Sequence, residues 1–161
     1  MHCVSYILIL CGLAVGCRRS APPDSTNPNA ARCVFVGNHI DRPLVFELRV
    51  NGAKAERFVL ASRQKLFLYE PLPERVRYSS LEPTRGSIVS ADGTRMAFTG
   101  FAMELQAVLA TNGAVTAQGC CSGESTYGVP TRDWLDQEHL TGRLVKNLRR
   151  VDAKILSSEN Q

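Results

Sequence analysis

Between residues 32 and 121, short apolar runs alternate with polar and turn residues, which is the pattern of β-strands with one buried face. The clearest run covers residues 44–50. There Leu44, Phe46, Leu48 and Val50 occupy every second position and so share one face of a strand. Further strands are predicted over residues 33–36, 57–60, 65–69, 75–78, 87–89, 95–98, 105–109 and 114–117.

Turn dipeptides separate three pairs of these strands: Asn51-Gly52 follows the strand over 44–50 directly, Asp92-Gly93 lies between the strands over 87–89 and 95–98, and Asn112-Gly113 lies between those over 105–109 and 114–117. Such pairs favour two-residue hairpins, because both central residues of a type I′ turn have positive φ. The chain is therefore predicted to be mainly β, an antiparallel β-sandwich or small β-barrel of about eight to nine strands with a C-terminal helix.

Residues 122–161 are predicted to form a helical tail that packs on the sheet. A short helix would begin after Thr131 as its N-cap and run through Trp134. A longer helix is predicted after Thr141, although residues 151–155 also fit a closing strand. The longer helix is indicated by apolar residues that recur at intervals of four, four, three and four: Leu140, Leu144, Leu148, Val151 and Ile155.

The opposite side of that helix would be basic and would carry Arg143, Lys146, Arg149, Arg150 and Lys154. This face is a candidate contact for anionic lipid head groups, with a simply solvated face as the alternative. The net charge of the chain, +4, is too small to indicate nucleic-acid binding.

The beginning of the chain predicts export. Residues 4–16 form an apolar run that is shorter than the roughly 20 residues of a transmembrane helix and is followed by Cys17, Arg18 and Arg19. Residues 1–16 are therefore predicted to be a signal peptide. No large apolar side chain lies in residues 18–31, which contain three prolines, so residues 17–31 are predicted to be a flexible tether. Residues 32–121 would then be the β domain.

Residues 13–17, Leu-Ala-Val-Gly-Cys, resemble the lipobox of bacterial lipoproteins. The resemblance implies cleavage before Cys17 and attachment of lipid, palmitate included, to its thiol. Because Arg18 stands where an inner-membrane retention aspartate would be, it also implies the outer membrane, with the domain facing the periplasm.

Export implies an oxidising compartment, in which three cysteines remain in the predicted mature chain: Cys33, Cys120 and Cys121. A disulfide is predicted between Cys33 and either Cys120 or Cys121. A vicinal bridge between Cys120 and Cys121 is the strained alternative, and a buried thiol is a further fate for the third cysteine.

Candidate chemistry is sparse. Cys121 and His139 form a conceivable nucleophile and base, and His39 and Asp41 are spaced like two ligands on a strand, but two ligands do not make a metal site. Trp134 fits a core position or helix packing better than a ligand platform. No cofactor or metal is predicted, and the expected class of protein is not an enzyme.

Four segments resemble parts of the small β-barrel envelope lipoproteins, which include META-type domains and C-type lysozyme inhibitors: Cys33 on the first strand, residues 93–97, the strand over 105–109, and residues 119–121. The resemblance implies an inhibitor of a host or competitor hydrolase, such as lysozyme.

Together these features predict a lipid-anchored, non-enzymatic envelope module that acts by binding an envelope protein or in envelope assembly. The alternatives are the hydrolase inhibitor and, in another class, a thiol-dependent envelope enzyme that uses Cys121 and His139.

Overall fold

The computed structural model describes residues 30–73, 81–122, 127–138 and 140–156. These contain eleven strands and one short helix. The strands are β1 (Ala30–Asn38), β2 (Leu44–Val50), β3 (Glu56–Leu60), β4 (Lys65–Pro71), β5 (Thr84–Val89), β6 (Arg95–Gly100), β7 (Ala102–Leu109), β8 (Val115–Ser122), β9 (Tyr127–Gly128), β10 (Leu140–Leu144) and β11 (Arg150–Leu156). The helix, α1, covers Arg132–Gln137.

The strands form two sheets whose inner faces enclose one core. Sheet 1 has the order β10-β4-β1-β7-β8, with β9 paired to the start of β1, and sheet 2 has the order β3-β2-β11-β5-β6. Val36 and Leu105 of sheet 1 and Phe46 and Ile88 of sheet 2 are fully buried in this core. The predicted mainly β, sandwich-like fold is confirmed.

The sheets are mixed, however, and not purely antiparallel as predicted. Three pairs are parallel: β1 with β7, β4 with β10, and β5 with β11. Parallel neighbours require crossover connections instead of hairpins, and turn dipeptides give no signal for such connections.

The three predicted hairpins are confirmed, joining β2 to β3, β5 to β6, and β7 to β8. At the first, Asn51 and Gly52 have φ of 51° and 74°, and Ala53 N donates to Val50 O at 2.9 Å. In the other two turns only the glycines, Gly93 and Gly113, have positive φ, which fits three-residue turns closed by a glycine and not type I′ turns.

The short helix is confirmed, with Thr131 as its N-cap: Trp134 N donates to Thr131 Oγ1 at 3.2 Å. The longer helix after Thr141 is wrong, because β10 and β11 occupy this part of the chain. Since β11 lies between β2 and β5, a helix there would leave the facing backbone groups of both strands without partners. The alternative strand over residues 151–155 falls within β11.

Strand β1 begins at Ala30, where Ala30 and Ala31 are buried, so the predicted tether ends before residue 30 instead of at residue 31. The predicted signal peptide, Cys17, the strand over 75–78 and His139 lie outside the described residues. None of the described helices has the length and apolar character needed to cross a membrane.

Side-chain contacts join the two sheets along both sides of the sandwich. On one side the ring of Phe98 in β6 lies over Gly119 in β8, where a Cβ would come within 2.6 Å of the ring. On the other side the guanidinium of Arg143 in β10 binds both carboxylate oxygens of Glu56 in β3, at 2.8 and 3.2 Å.

Candidate functional site

The outer face of sheet 1 carries a small aromatic cleft beneath α1. Because side chains alternate along β1, Val34 and Val36 enter the core while Phe35 points to the outer face. The ring of Phe35 packs on Phe67 with centroids 4.6 Å apart, and Trp134 meets Phe67 edge-on at 5.5 Å. We call the resulting depression of about 200 Å³ the aromatic cleft; it is lined by Phe35, Arg63, Lys65, Glu104, Trp134, Glu138 and Leu140.

One wall of the aromatic cleft is a charged cluster. Lys65 Nζ donates to Glu104 Oε1 at 2.7 Å, and His39 Nε2 lies 3.3 Å from the same oxygen. Lys65 and Glu104 belong to strands on opposite sides of β1, and Lys65 is the register partner of Gly37. Because Gly37 has no side chain, the lysine can reach across β1 to the carboxylate.

The cluster holds Glu104 ionised. Burial acts to raise the pKa of Glu104, but the hydrogen bond and the positive charge of Lys65 outweigh it, so that this pKa is lowered. An ionised carboxylate that already accepts a hydrogen bond from a lysine is a poor general acid. An apolar floor beside a fixed charge pair instead suits the binding of a side chain that has an apolar body and a polar end.

His39 and Asp41, whose spacing resembles that of two ligands on a strand, have different partners. His39 faces Glu104, whereas Asp41 is exposed and pairs with Arg63 at 2.8 Å. Across the described ranges, no group of three or more His, Cys, Asp or Glu side chains has the arrangement of a metal site.

The structure does not bring Cys33 together with Cys120 or Cys121. Cys33 is buried on the outer face of sheet 1 with Phe35, whereas Cys121 packs against the core on the inner face. Cys120 faces outward, but β7 lies between β1 and β8. Two strand spacings amount to roughly 9–10 Å, and a disulfide needs Cα atoms within about 7 Å, so the predicted bridge is not formed.

The five predicted basic residues do not share one helix face. Arg143 lies on sheet 1 and pairs with Glu56, and Lys146 and Arg149 precede β11. Arg150 and Lys154 point outward from β11 on sheet 2. Strand geometry therefore separates residues that a helical periodicity would have aligned.

Trp134 is partly buried against the outer-face cluster, which confirms the expected helix packing. The aromatic cleft itself was not predicted, because its lining comes from β1, β4, β7 and α1, which are distant in sequence. One signal was available: residues 33–36 are continuously apolar, as in strands that are covered on both faces.

The fold and the aromatic cleft define the class as a mixed two-sheet β-sandwich with one outer face partly covered by a helix. No protein-family model matches the chain, and no curated protein or solved structure matches it. The resemblance to META-type domains and lysozyme inhibitors stays a prediction.

Proposed function

We propose that the protein is a lipid-anchored, non-enzymatic binding module of the bacterial cell envelope, attached through Cys17, that binds a partner protein at the aromatic cleft. The observation that carries this proposal is the open cleft over Phe35, with Trp134 on one side and the Lys65–Glu104 pair on the other.

The lining has the character of a protein-binding hot spot. Tryptophan and arginine are enriched among the residues that dominate binding energy, and here the partly exposed Trp134 and Arg63 border the same depression. A volume of about 200 Å³ accommodates one or two side chains of a partner. We therefore expect recognition of a protein segment with an apolar residue next to a charged one.

The position of Cys121 supports binding over thiol catalysis. Its side chain packs against the sandwich core, on the face of sheet 1 opposite the cleft. A thiolate nucleophile needs an accessible, electropositive setting. If alkylation of Cys121 under native conditions is fast and its pH dependence indicates a depressed thiol pKa, the alternative of a thiol-dependent enzyme is favoured instead.

The anchor is tested by the intact mass of the protein extracted from membranes. A mass equal to residues 17–161 plus acyl groups is the expected result. An unmodified chain that retains residues 1–16 would overturn the anchored location, but not the cleft.

The cleft is tested by site-specific photocrosslinking in the envelope. A photoreactive residue at Arg63 or Glu138, on the rim, should trap the same partner, whereas one at Ala97 or Thr99, on the outer face of sheet 2, should not. The charge reversal Lys65→Glu should abolish the adduct. Equal adducts from both faces would contradict the proposal.

The identity of the trapped protein separates the two binding roles. A structural envelope protein supports envelope assembly, whereas a hydrolase trapped in stoichiometric amount supports the inhibitor alternative.

A further inference from the structure

The outer face of sheet 2 is open to solvent and strongly basic. Alternation along its five strands points six cations and only two carboxylates, Glu47 and Asp152, outward, which gives this face a net charge of +4. We call it the basic face; its cations are Arg49, Arg57, Arg85, Arg95, Arg150 and Lys154. Since the whole chain has a net charge of +4, the rest of the chain balances to zero.

The two carboxylates are already occupied. Arg57 Nε lies 3.7 Å from Glu47, and Asp152 receives Arg150 Nε at 2.6 Å and Arg95 Nη2 at 3.3 Å. Asp152 also accepts a hydrogen bond from Ser87 Oγ at 2.6 Å. These contacts leave three outward cations with no carboxylate within 4 Å in the described parts of the chain: Arg49, Arg85 and Lys154. Of these, Arg49 and Lys154 are the register partners of Asp152 and Glu47.

Like charges are adjacent on this face. Arg85 of β5 and Arg150 of β11 are direct register partners on neighbouring strands. Arg150 is paired with Asp152, whereas Arg85 has no carboxylate within 4 Å in the described parts of the chain, so an external anion beside Arg85 would gain a charge-assisted contact. A shallow depression of about 240 Å³ on this face is lined by four cations, Arg49, Arg95, Arg150 and Lys154, and by both carboxylates, Glu47 and Asp152, so that its lining keeps an excess of positive charge.

The predicted tether reaches the domain at the same end of the sandwich. Arg32, near the start of β1, donates from Nη1 to Leu148 O at 3.0 Å, and Arg85 N donates to Arg149 O at 2.9 Å. The end of β1 where the tether arrives is therefore next to Arg85 and the start of β11. A coil as short as residues 17–29 would hold this end about 20 Å from a lipid on Cys17.

We propose that the basic face docks on a bilayer surface of anionic phospholipid head groups, so that the domain is held by its lipid and by its arginines together. The occupant follows from charge complementarity and from the position of the tether. The aromatic cleft, on the other sheet, then points away from the membrane and toward the partner. This inference rests on the anchored location proposed above.

The test uses the full chain with Cys17→Ala, which carries no lipid, and measures cosedimentation with vesicles. Phosphatidylglycerol mixed into phosphatidylcholine should increase binding over phosphatidylcholine alone, and added salt should reverse the increase. The double variant Arg85→Gln/Lys154→Gln should weaken binding to the anionic vesicles by about fivefold per cation, or roughly 25-fold.

The matched control is Arg42→Gln/Arg132→Gln, which removes the same charge from exposed positions away from the basic face and should bind like the parent chain. Equal loss in both double variants, or tighter binding to a soluble polyanion such as heparin than to vesicles, would overturn the proposal. Because the Cys17→Ala chain carries no lipid, a lack of vesicle binding would contradict docking by the basic face without bearing on whether Cys17 is lipidated.

Discussion

Arg32 and Leu148 are separated by most of the chain, yet the guanidinium of Arg32 donates to the Leu148 carbonyl at 3.0 Å inside the sandwich. Only 2% of Arg32 is exposed. Its charge is partly balanced by Glu70, 3.7 Å away, whose carboxylate also accepts from Asn147 N and Leu148 N. One buried cation thus connects the start of sheet 1 with the segment that enters β11.

Replacing this cation should be costly. Arg32→Met would remove the cation beside the Glu70 carboxylate. It would also remove one of the donors to the Leu148 carbonyl, which would still accept a hydrogen bond from Thr84 Oγ1 at 2.8 Å. We expect the free energy of unfolding to fall by about 3 kcal/mol in urea titrations. Arg42→Met, at an exposed turn, should change it by less than about 0.5 kcal/mol. Similar values for the two variants would contradict a structural role for Arg32.

Asn51 forms a second connection to the entry of β11. Its backbone adopts φ of 51°, its Nδ2 donates to Asn147 O at 2.7 Å, and its Oδ1 accepts from Arg149 N and Arg150 N. Asn51→Ala should lower the free energy of unfolding by about 2 kcal/mol, because it loses these bonds and tolerates the positive φ poorly. Asn51→Asp keeps the acceptor and, like Asn, tolerates positive φ, so it should lose less. An equal loss in thermal or urea unfolding would show that the Nδ2 donor bonds, and not the Oδ1 acceptor or the backbone conformation, carry the effect.

The packing of Phe98 on Gly119 predicts an intolerance of any side chain at position 119. A Cβ there would also lie 2.8 Å from the carbonyl oxygen of Glu104. Gly119→Ala should cost about 1–3 kcal/mol of stability through overpacking. Adding Phe98→Leu should recover part of that loss in a double-mutant cycle, whereas strictly additive effects would show that the two positions do not interact.

Acid should weaken the cluster at the aromatic cleft. Burial opposes the shift, but Lys65 lowers the pKa of Glu104 in the folded protein, so the ionised carboxylate stabilises the fold at pH above the unfolded pKa of about 4.3. That stability is lost as the pH falls through the lower folded pKa. In Glu104→Gln the free energy of unfolding, measured by urea titration at a series of pH values, should therefore fall less steeply at acid pH. Glu138→Gln, at the exposed rim, serves as the control and should keep the steep fall of the free energy of unfolding at acid pH.

Structural features that depend on residues close together in the sequence were predictable, whereas features that depend on distant residues were not. The hairpin at Asn51-Gly52 and the N-cap at Thr131 were predictable, since each depends on residues a few positions apart. The tail was mispredicted because Leu148, Val151 and Ile155 also fit the spacing of a helix face. In the structure every second residue of β11 faces the core, namely Val151, Ala153 and Ile155. Because Ala153 is small and only weakly apolar, this two-residue period was not evident from the sequence.

The site was less predictable than the fold for the same reason. The contact between Lys65 and Glu104 depends on two registers to β1 and on the missing side chain of Gly37, and no local pattern encodes these. The basic face combines Arg150 and Lys154, which sequence reasoning singled out, with arginines of four other strands that only the strand order aligns.

The central place of β11 in sheet 2 has a consequence for biosynthesis. Its neighbours β2 and β5 are made long before it, yet they have no common partner until Arg150–Leu156 has been synthesised. Until then the earlier strands of sheet 2 remain without their shared partner, so the sheet is completed only after the chain has been synthesised through residue 156. The folding of sheet 2 is thus timed by the order in which its strands are synthesised.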